Sequence, residues 1–109
     1  MVEAARKLVV RMSVFGLTIA TKQICIIPKG ASKHEALDTL IEAVGTNPAV
    51  TNIEAFRAAV YEREAIQSTG LGDGIAVPHV RIDEVTEATL GVAIAPKGIE
   101  FDTLDNQPV

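Results

Sequence analysis

Tryptophan is absent from this 109-residue chain, tyrosine occurs once and phenylalanine three times. A core built on aromatic rings is thereby excluded, and the 48% of apolar residues must be buried mainly as aliphatic side chains. Cysteine occurs once, at Cys25, which excludes a disulfide framework and fits a reducing cytoplasm. One cysteine and two distant histidines do not compose a zinc site, and neither a metal nor a cofactor is expected. Positive charge is scarce as well: 10 Lys and Arg against 14 Asp and Glu leave a formal net charge of −4, which counts against a nucleic-acid partner. No uncharged run approaches the ~20 apolar residues of a membrane span, so no direct membrane insertion is expected. The opening "MVEAARKLVVRMSVFGLTIATK" has the basic, apolar and small-residue order of a signal peptide. Glu3 in the basic part and Arg11 in the apolar part favour instead a leading helix or strand of a soluble domain.

The residues that are present suffice for one domain of mixed helices and strands. "TKQICIIPKG" predicts a strand over residues 23–27, stopped by Pro28 and Gly30. In "SKHEALDTLIEAVG", Ser32 and Glu35 have capping-box spacing and Leu37, Leu40, Ile41 and Val44 form a helical apolar stripe closed by Gly45. "TNPAVT" connects to a second helix, opened by Thr51 and Glu54 at the same spacing, with Ile53, Phe56 and Val60 inward and an end near Glu64. A further strand is predicted over residues 89–95 in "ATLGVAIAP", and "DNQP" reads as a turn.

Candidate chemistry gathers around the second helix and the loop beyond its end. Arg63 falls on the inward side of that helix, in line with Phe56 and near Val60. Its stem could cover apolar surface while the head reaches water, or the guanidinium could point at an anion near the next loop. That loop, "QSTGLGDG", has three glycines, Gly70, Gly72 and Gly74, that permit positive φ. Successive N–H groups there could form an anion-binding nest, helped by the Ser68 and Thr69 hydroxyls. It is not a Walker loop, because no Gly-Lys-Ser/Thr comes after it. Ile75, Val77 and His79 share one strand face, and Pro78 puts the imidazole at a strand's exit or edge. An imidazole beside a nest and an arginine suits covalent phosphoryl chemistry, for which neutral histidine is a competent nucleophile near pH 7.

The stretch "EREAIQSTGLGDGIAVPHVRI" resembles the active-site signature of type-2 enzyme IIA domains of the bacterial phosphoenolpyruvate-dependent phosphotransferase system. These include fructose, mannitol and nitrogen-regulatory members. The elements that carry the resemblance are Arg63-Glu64, Ser68-Thr69-Gly70, Gly72, Gly74 and Pro78-His79, with further similarity in "SKHEALDTLIEAV" and "FDTLDNQPV". It implies an α/β fold, a mixed β-sheet flanked by helices, over residues 17–109 behind an N-terminal extension at 1–16. It also implies a phosphotransferase role in which His79 takes a phosphoryl group on Nε2 from an HPr-type carrier. Arg63 would stabilise the group, with the Thr69 and Ser68 hydroxyls in the same site and Gly70, Gly72 and Gly74 as the phosphate loop.

Onward partners would be a regulatory target, in a nitrogen or metabolic role, or a IIB domain in a sugar-specific one. A binding module that is not phosphorylated is the further alternative. Val80 and Arg81 stand where the family more often has a small residue and lysine. His34 does not match the family's second active-site histidine and reads as surface. Family members continue past the position of Val109 with an apolar strand and a helical region carrying that histidine. The resemblance therefore predicts an incomplete domain, one that associates with itself or with a partner or else is marginally folded.

Overall fold

A computed structural model describes the backbone of residues 12–14 and 17–109 and the side chains from Ile19 onward. The expectation for the N-terminal extension falls largely outside these residues. Within it, β1 (Met12–Val14) pairs antiparallel with β2 (Leu17–Ile19). A 3-10 turn, Thr21–Gln23, leads into β3 (Ile24–Ile26), which is shorter than the strand predicted over 23–27. Gln23 belongs to the turn for a physical reason. Its side chain is almost fully buried, and its amide donates to Thr89 Oγ1 (3.2 Å) and the Leu90 carbonyl (2.8 Å) and accepts from Asn47 Nδ2 (3.4 Å). One buried amide thus joins three distant segments, and its satisfied bonds offset its desolvation.

Helix α1 (Lys33–Val44) starts on the anticipated capping box: Ser32 Oγ accepts from the Glu35 N–H, and Glu35 Oε1 accepts from the Ser32 N–H. Gly45 does end the helix, but with φ at −63°, so left-handed geometry is not its reason. A Cβ there would meet Ile53 Cδ1 at 2.6 Å and the Ile41 carbonyl at 3.1 Å, so the position is small because the two helices close upon it. The start of α2 (Ile53–Ile66) corrects the expected cap. Asn52 caps it, accepting from the Ala55 N–H at 3.1 Å, while the Thr51 hydroxyl donates to the Glu84 carbonyl. Glu54 ion-pairs instead with Arg57, whose guanidinium also holds Asp38 and Glu42 of α1. Tyr61 adds a bond to Asp38 at 2.7 Å and stacks on His34, a surface residue as expected.

The core lies between these helices and the sheet: Ile27, Leu37, Ile41, Val60, Ile99 and Phe101 are buried, with Ile53 and Phe56 packed against them. Each such side chain contributes roughly 1.5–3 kcal/mol relative to exposure. In the strand order of the chain, β4 is Gly70–Gly72, β5 is Ile75–Ala76 and β6 is Val92–Ile94. β3 pairs in parallel with β6, with Cys25 opposite Ala93. β6 occupies only the later part of the strand predicted over 89–95, with Thr89 and Leu90 bound instead to the Gln23 side chain. β4 and β5 form an antiparallel hairpin. The described strands thus make a mixed set of parallel and antiparallel pairs flanked by helices, as three two-stranded sheets.

β4 also touches the chain's end through a parallel bridge from Gly70 to Thr103. A Cβ on Gly70 would stand 2.8 Å from Thr103 Cγ2 and 2.9 Å from the Asp102 carbonyl. Backbone cannot yield as a flexible side chain does. Gly70→Ala is therefore expected to destabilise the protein by about 1–3 kcal/mol, measured by denaturant unfolding.

Candidate functional site

The candidate residues are positioned by the end of α2, the β4–β5 hairpin and the extended chain after β5. Glu64, in the last turn of α2, is 7% exposed and faces inward. One carboxylate oxygen accepts from the Thr69 N–H and the other from the Thr69 hydroxyl, both at 2.8 Å. Lys33, in the first turn of α1, brings its ammonium to 3.1 Å from Glu64 Oε1, over the Phe101 ring and within 3.4 Å of Ser68 Oγ. Burial pushes the Glu64 pKa up, but the two Thr69 donors and Lys33 outweigh it and hold the carboxyl below its ordinary range.

The hydroxyls singled out in the sequence are engaged within the chain. Thr69 is buried and gives its proton to Glu64. Ser68 donates to the Phe101 carbonyl at 3.0 Å and accepts from the Gly70 N–H at 3.2 Å. The glycine loop has the positive φ that its sequence demands, +115° at Gly72 and +75° at Gly74, with Asp73 between them at 54°. A carboxylate of the chain itself faces it: Asp105 Oδ2 accepts from the Asp73 N–H at 3.0 Å, and its other oxygen accepts from Thr103 Oγ1 and the Gln107 N–H. The Thr103 hydroxyl first, then the two backbone donors, hold the Asp105 carboxyl below its ordinary range. The predicted turn at Asp105–Asn106 thereby becomes a clasp on the hairpin's tip.

Arg63 is half-buried, and its Nη1 donates at 2.8 Å to the carbonyl of Gln67, just past the helix end. The guanidinium thus caps the C-terminus, where a cation is electrostatically favoured. Among the described residues no hydrogen bond joins it to His79. His79 is exposed, three residues past β5, with Ile75 and Val77 also facing water, as the shared face requires. Its Nδ1 lies 2.8 Å from the Val77 carbonyl. A carbonyl can only accept, so this nitrogen is the donor, and in the neutral ring the lone pair then lies on Nε2. The imidazole lines a cavity of about 980 Å³ whose apolar wall includes Leu40 and Val44 of α1 and Phe56 of α2.

The arrangement can perform nucleophilic chemistry at one imidazole nitrogen, in open reach of a partner. Cys25 is no rival, because burial pushes its thiol upward and away from the reactive thiolate. No group of three or more metal-ligating side chains occurs among the described residues. No described helix is long and apolar enough to cross a membrane. Lys33, Glu64 as a buried carboxylate and Asp105 are the participants that sequence reasoning missed. Glu64 left one signal, since an acid in a helix's last turn opposes the macrodipole and needs another reason to be there.

Lys33→Met tests the buried pair. It is expected to cost about 1–2 kcal/mol at pH 7, since it takes a charged partner from a carboxylate that keeps its Thr69 bonds. Because Glu64 titrates below its ordinary range, the stability it confers is present above about pH 4–5 and lost as pH falls through its folded value. The gap between wild type and variant should therefore narrow on acidification, as followed by denaturant unfolding at pH 7 and below pH 4.

The profile of the family described as "Phosphoenolpyruvate-dependent sugar phosphotransferase system, EIIA 2" matches residues 18–109. The fructose-specific EIIA component of Haloferax volcanii is 35% identical over 78 residues, covering 72% of this chain and 51% of that protein. The nitrogen regulatory protein of Escherichia coli (strain K12) is 38% identical over 79 residues, covering 72% of this chain and 48% of that protein. The crystal structure of nitrogen regulatory protein IIA-Ntr from Neisseria meningitidis superposes with a TM-score of 0.69 at 25% identity, covering 81% of this chain and 60% of that one. The chain spans about half the length of these two curated relatives.

Proposed function

The chain belongs to the EIIA type-2 family of the phosphoenolpyruvate-dependent sugar phosphotransferase system, and from that premise we propose that it relays a phosphoryl group through His79. The observation that carries this reading is the 2.8 Å contact of Nδ1 with the Val77 carbonyl, which in the neutral ring places the lone pair on Nε2 of an exposed side chain. In the proposed step the Nε2 lone pair attacks phosphorus on a phosphorylated HPr-type carrier. The N–P bond to the carrier breaks as the new one forms, and the carrier's imidazole regains its lone pair. The phosphorylated ring then carries positive charge, and the Nδ1–H bond to the Val77 carbonyl becomes charge-assisted.

Arg63 is the proposed phosphoryl stabiliser, its fork anchored at one nitrogen by Gln67. Ser68, Thr69, Gly70, Gly72 and Gly74 act in this proposal mainly by shaping the hairpin that presents His79, since the hydroxyls and the Asp73 N–H are bound within the chain. The work would be done in the cytoplasm. A regulatory role toward a target protein is the first reading, supported by the 38% identity to the nitrogen regulatory protein. Delivery to a sugar-specific IIB domain is the second, supported by the 35% identity to a fructose-specific component. A phosphorylation assay with both kinds of acceptor separates the two.

Incubation with phosphoenolpyruvate, enzyme I and an HPr-type carrier should add one phosphoryl mass that is lost in acid and survives alkali. His79→Ala should gain none. A variant that still gains it would remove His79 from the role.

Arg63→Lys keeps the charge but loses the planar fork. Charged hydrogen bonds are worth about 1.5–3 kcal/mol, so transfer is expected to slow at least about tenfold with little change in melting temperature. Equal rates, or a collapse in stability alone, would make Arg63 a helix cap only.

A further inference from the structure

Glu64 is a buried, ionised carboxylate that the proposed transfer step does not touch. It stands in the last turn of α2, where the helix's partial negative charge disfavours an anion, and burial disfavours it again. A hydrophobic side chain would fill the position with less desolvation, so the carboxylate must be explained by the groups it holds. It holds Thr69 by both donors, N–H and hydroxyl, at 2.8 Å each. Thr69 in turn accepts the Val77 N–H on its own carbonyl at 3.0 Å. Val77 then offers its carbonyl to His79 Nδ1 at 2.8 Å. The four residues form an unbroken series of contacts from the helix end to the exposed imidazole.

We propose that Glu64 is a positioning residue for His79. Through Thr69 and the Val77 peptide it fixes the carbonyl that selects the Nδ1–H tautomer and so leaves Nε2 to react. The inference rests on the proposed role of His79 but makes a separate claim, about which ring nitrogen carries the proton before any donor arrives. Lys33 belongs to the device as the counter-charge that, after the two Thr69 donors, holds Glu64 ionised at 3.1 Å, and Ser68 beside it ties the same turn to the Phe101 carbonyl. Clamping Thr69 at both donors restricts rotation of its peptide plane, which is what a fixed Val77 bond requires. Past the pairing of Gly70 with Ala76, that bond is the one backbone hydrogen bond made by residues 77–81 among the described residues, because the stretch from Val77 to Arg81 lies outside any helix or strand. A ring released from the carbonyl would exchange its proton between Nδ1 and Nε2, and the nucleophilic fraction would fall.

The test is nitrogen-15 NMR of His79 in the unphosphorylated chain, with amide exchange at Val77, for Glu64→Ala, Thr69→Val and Glu64→Gln. Glu64→Ala should turn a single Nδ1–H tautomer into a mixture and speed Val77 exchange about tenfold or more, while protection at Ile41 in the core persists. Thr69→Val, which keeps the shape and removes only the hydroxyl, should move both readouts in the same direction if Glu64→Ala does not fold. Glu64→Gln should restore them, since its amide can accept from the Thr69 N–H and donate to the hydroxyl. An unchanged tautomer and unchanged Val77 exchange in folded Glu64→Ala or Thr69→Val would overturn the proposal. Because no phosphoryl donor enters this measurement, failure of wild type to become phosphorylated counts against the proposed function alone.

Discussion

A single buried carboxylate fixes how the parts of this molecule meet. Glu64 ends one helix, Lys33 begins the other, and Thr69 opens the hairpin, and all three are joined within 3.1 Å. The capping box at Ser32 sets where α1 begins, and hence where Lys33 stands. The aliphatic core can bring α1 and α2 together over a range of small displacements, because dispersion contacts are numerous but undirected. Directional bonds to a charge remove that freedom.

A second carboxylate plays the same part at the hairpin's other end. Asp105 gives one oxygen to Asp73 and the other to Thr103 and Gln107, so the tip of the glycine loop is fastened to the segment beyond Phe101. With Glu64 at the base and Asp105 at the tip, so short a hairpin needs little intrinsic strand preference. That matters because glycine is a poor strand former. The ladder is irregular between Gly70 and Gly72, and the anchors compensate for it.

Much of this is legible in the sequence, and the rest is hidden for identifiable reasons. The Ser32 box and the two helices come from local chemistry and form as it directs, whereas the strand expected to run to Pro78 ends at Ala76, two residues short of it. The cap of α2 lies one residue from its expected place because Thr51 and Asn52 are both competent caps. Only the Glu84 carbonyl, far along the chain, draws Thr51 away. Gly45 suggests a conformational reason, whereas its real reason is the proximity of Ile53. The side chains of Ser68 and Thr69 can be placed near the site from sequence but not aimed, since their partners at Phe101 and Glu64 are set by the tertiary fold. The periodicity puts Arg63 on the inward face, and in the structure it is half-buried and bonds the carbonyl just past the helix end, a local contact that side-chain length alone permits. Sequence patterns report periodicity and composition. They do not report which of two eligible donors a remote carbonyl will choose.

The parallel pairing of β3 with β6 has a consequence for assembly of the chain. Cys25 meets Ala93 only after both helices and the hairpin have been laid down between them. Closing so long an interval is entropically slow compared with forming a helix or a hairpin. The helix end, Thr69, Val77 and His79 all fall inside the interval, within a short stretch of one another. Their bonds are local in sequence and so belong to the early, fast-forming part of folding. On a ribosome, the bonds from Glu64 to His79 can form before β6 pairs with β3, whereas the Asp105 clasp on the hairpin's tip comes only with the last residues.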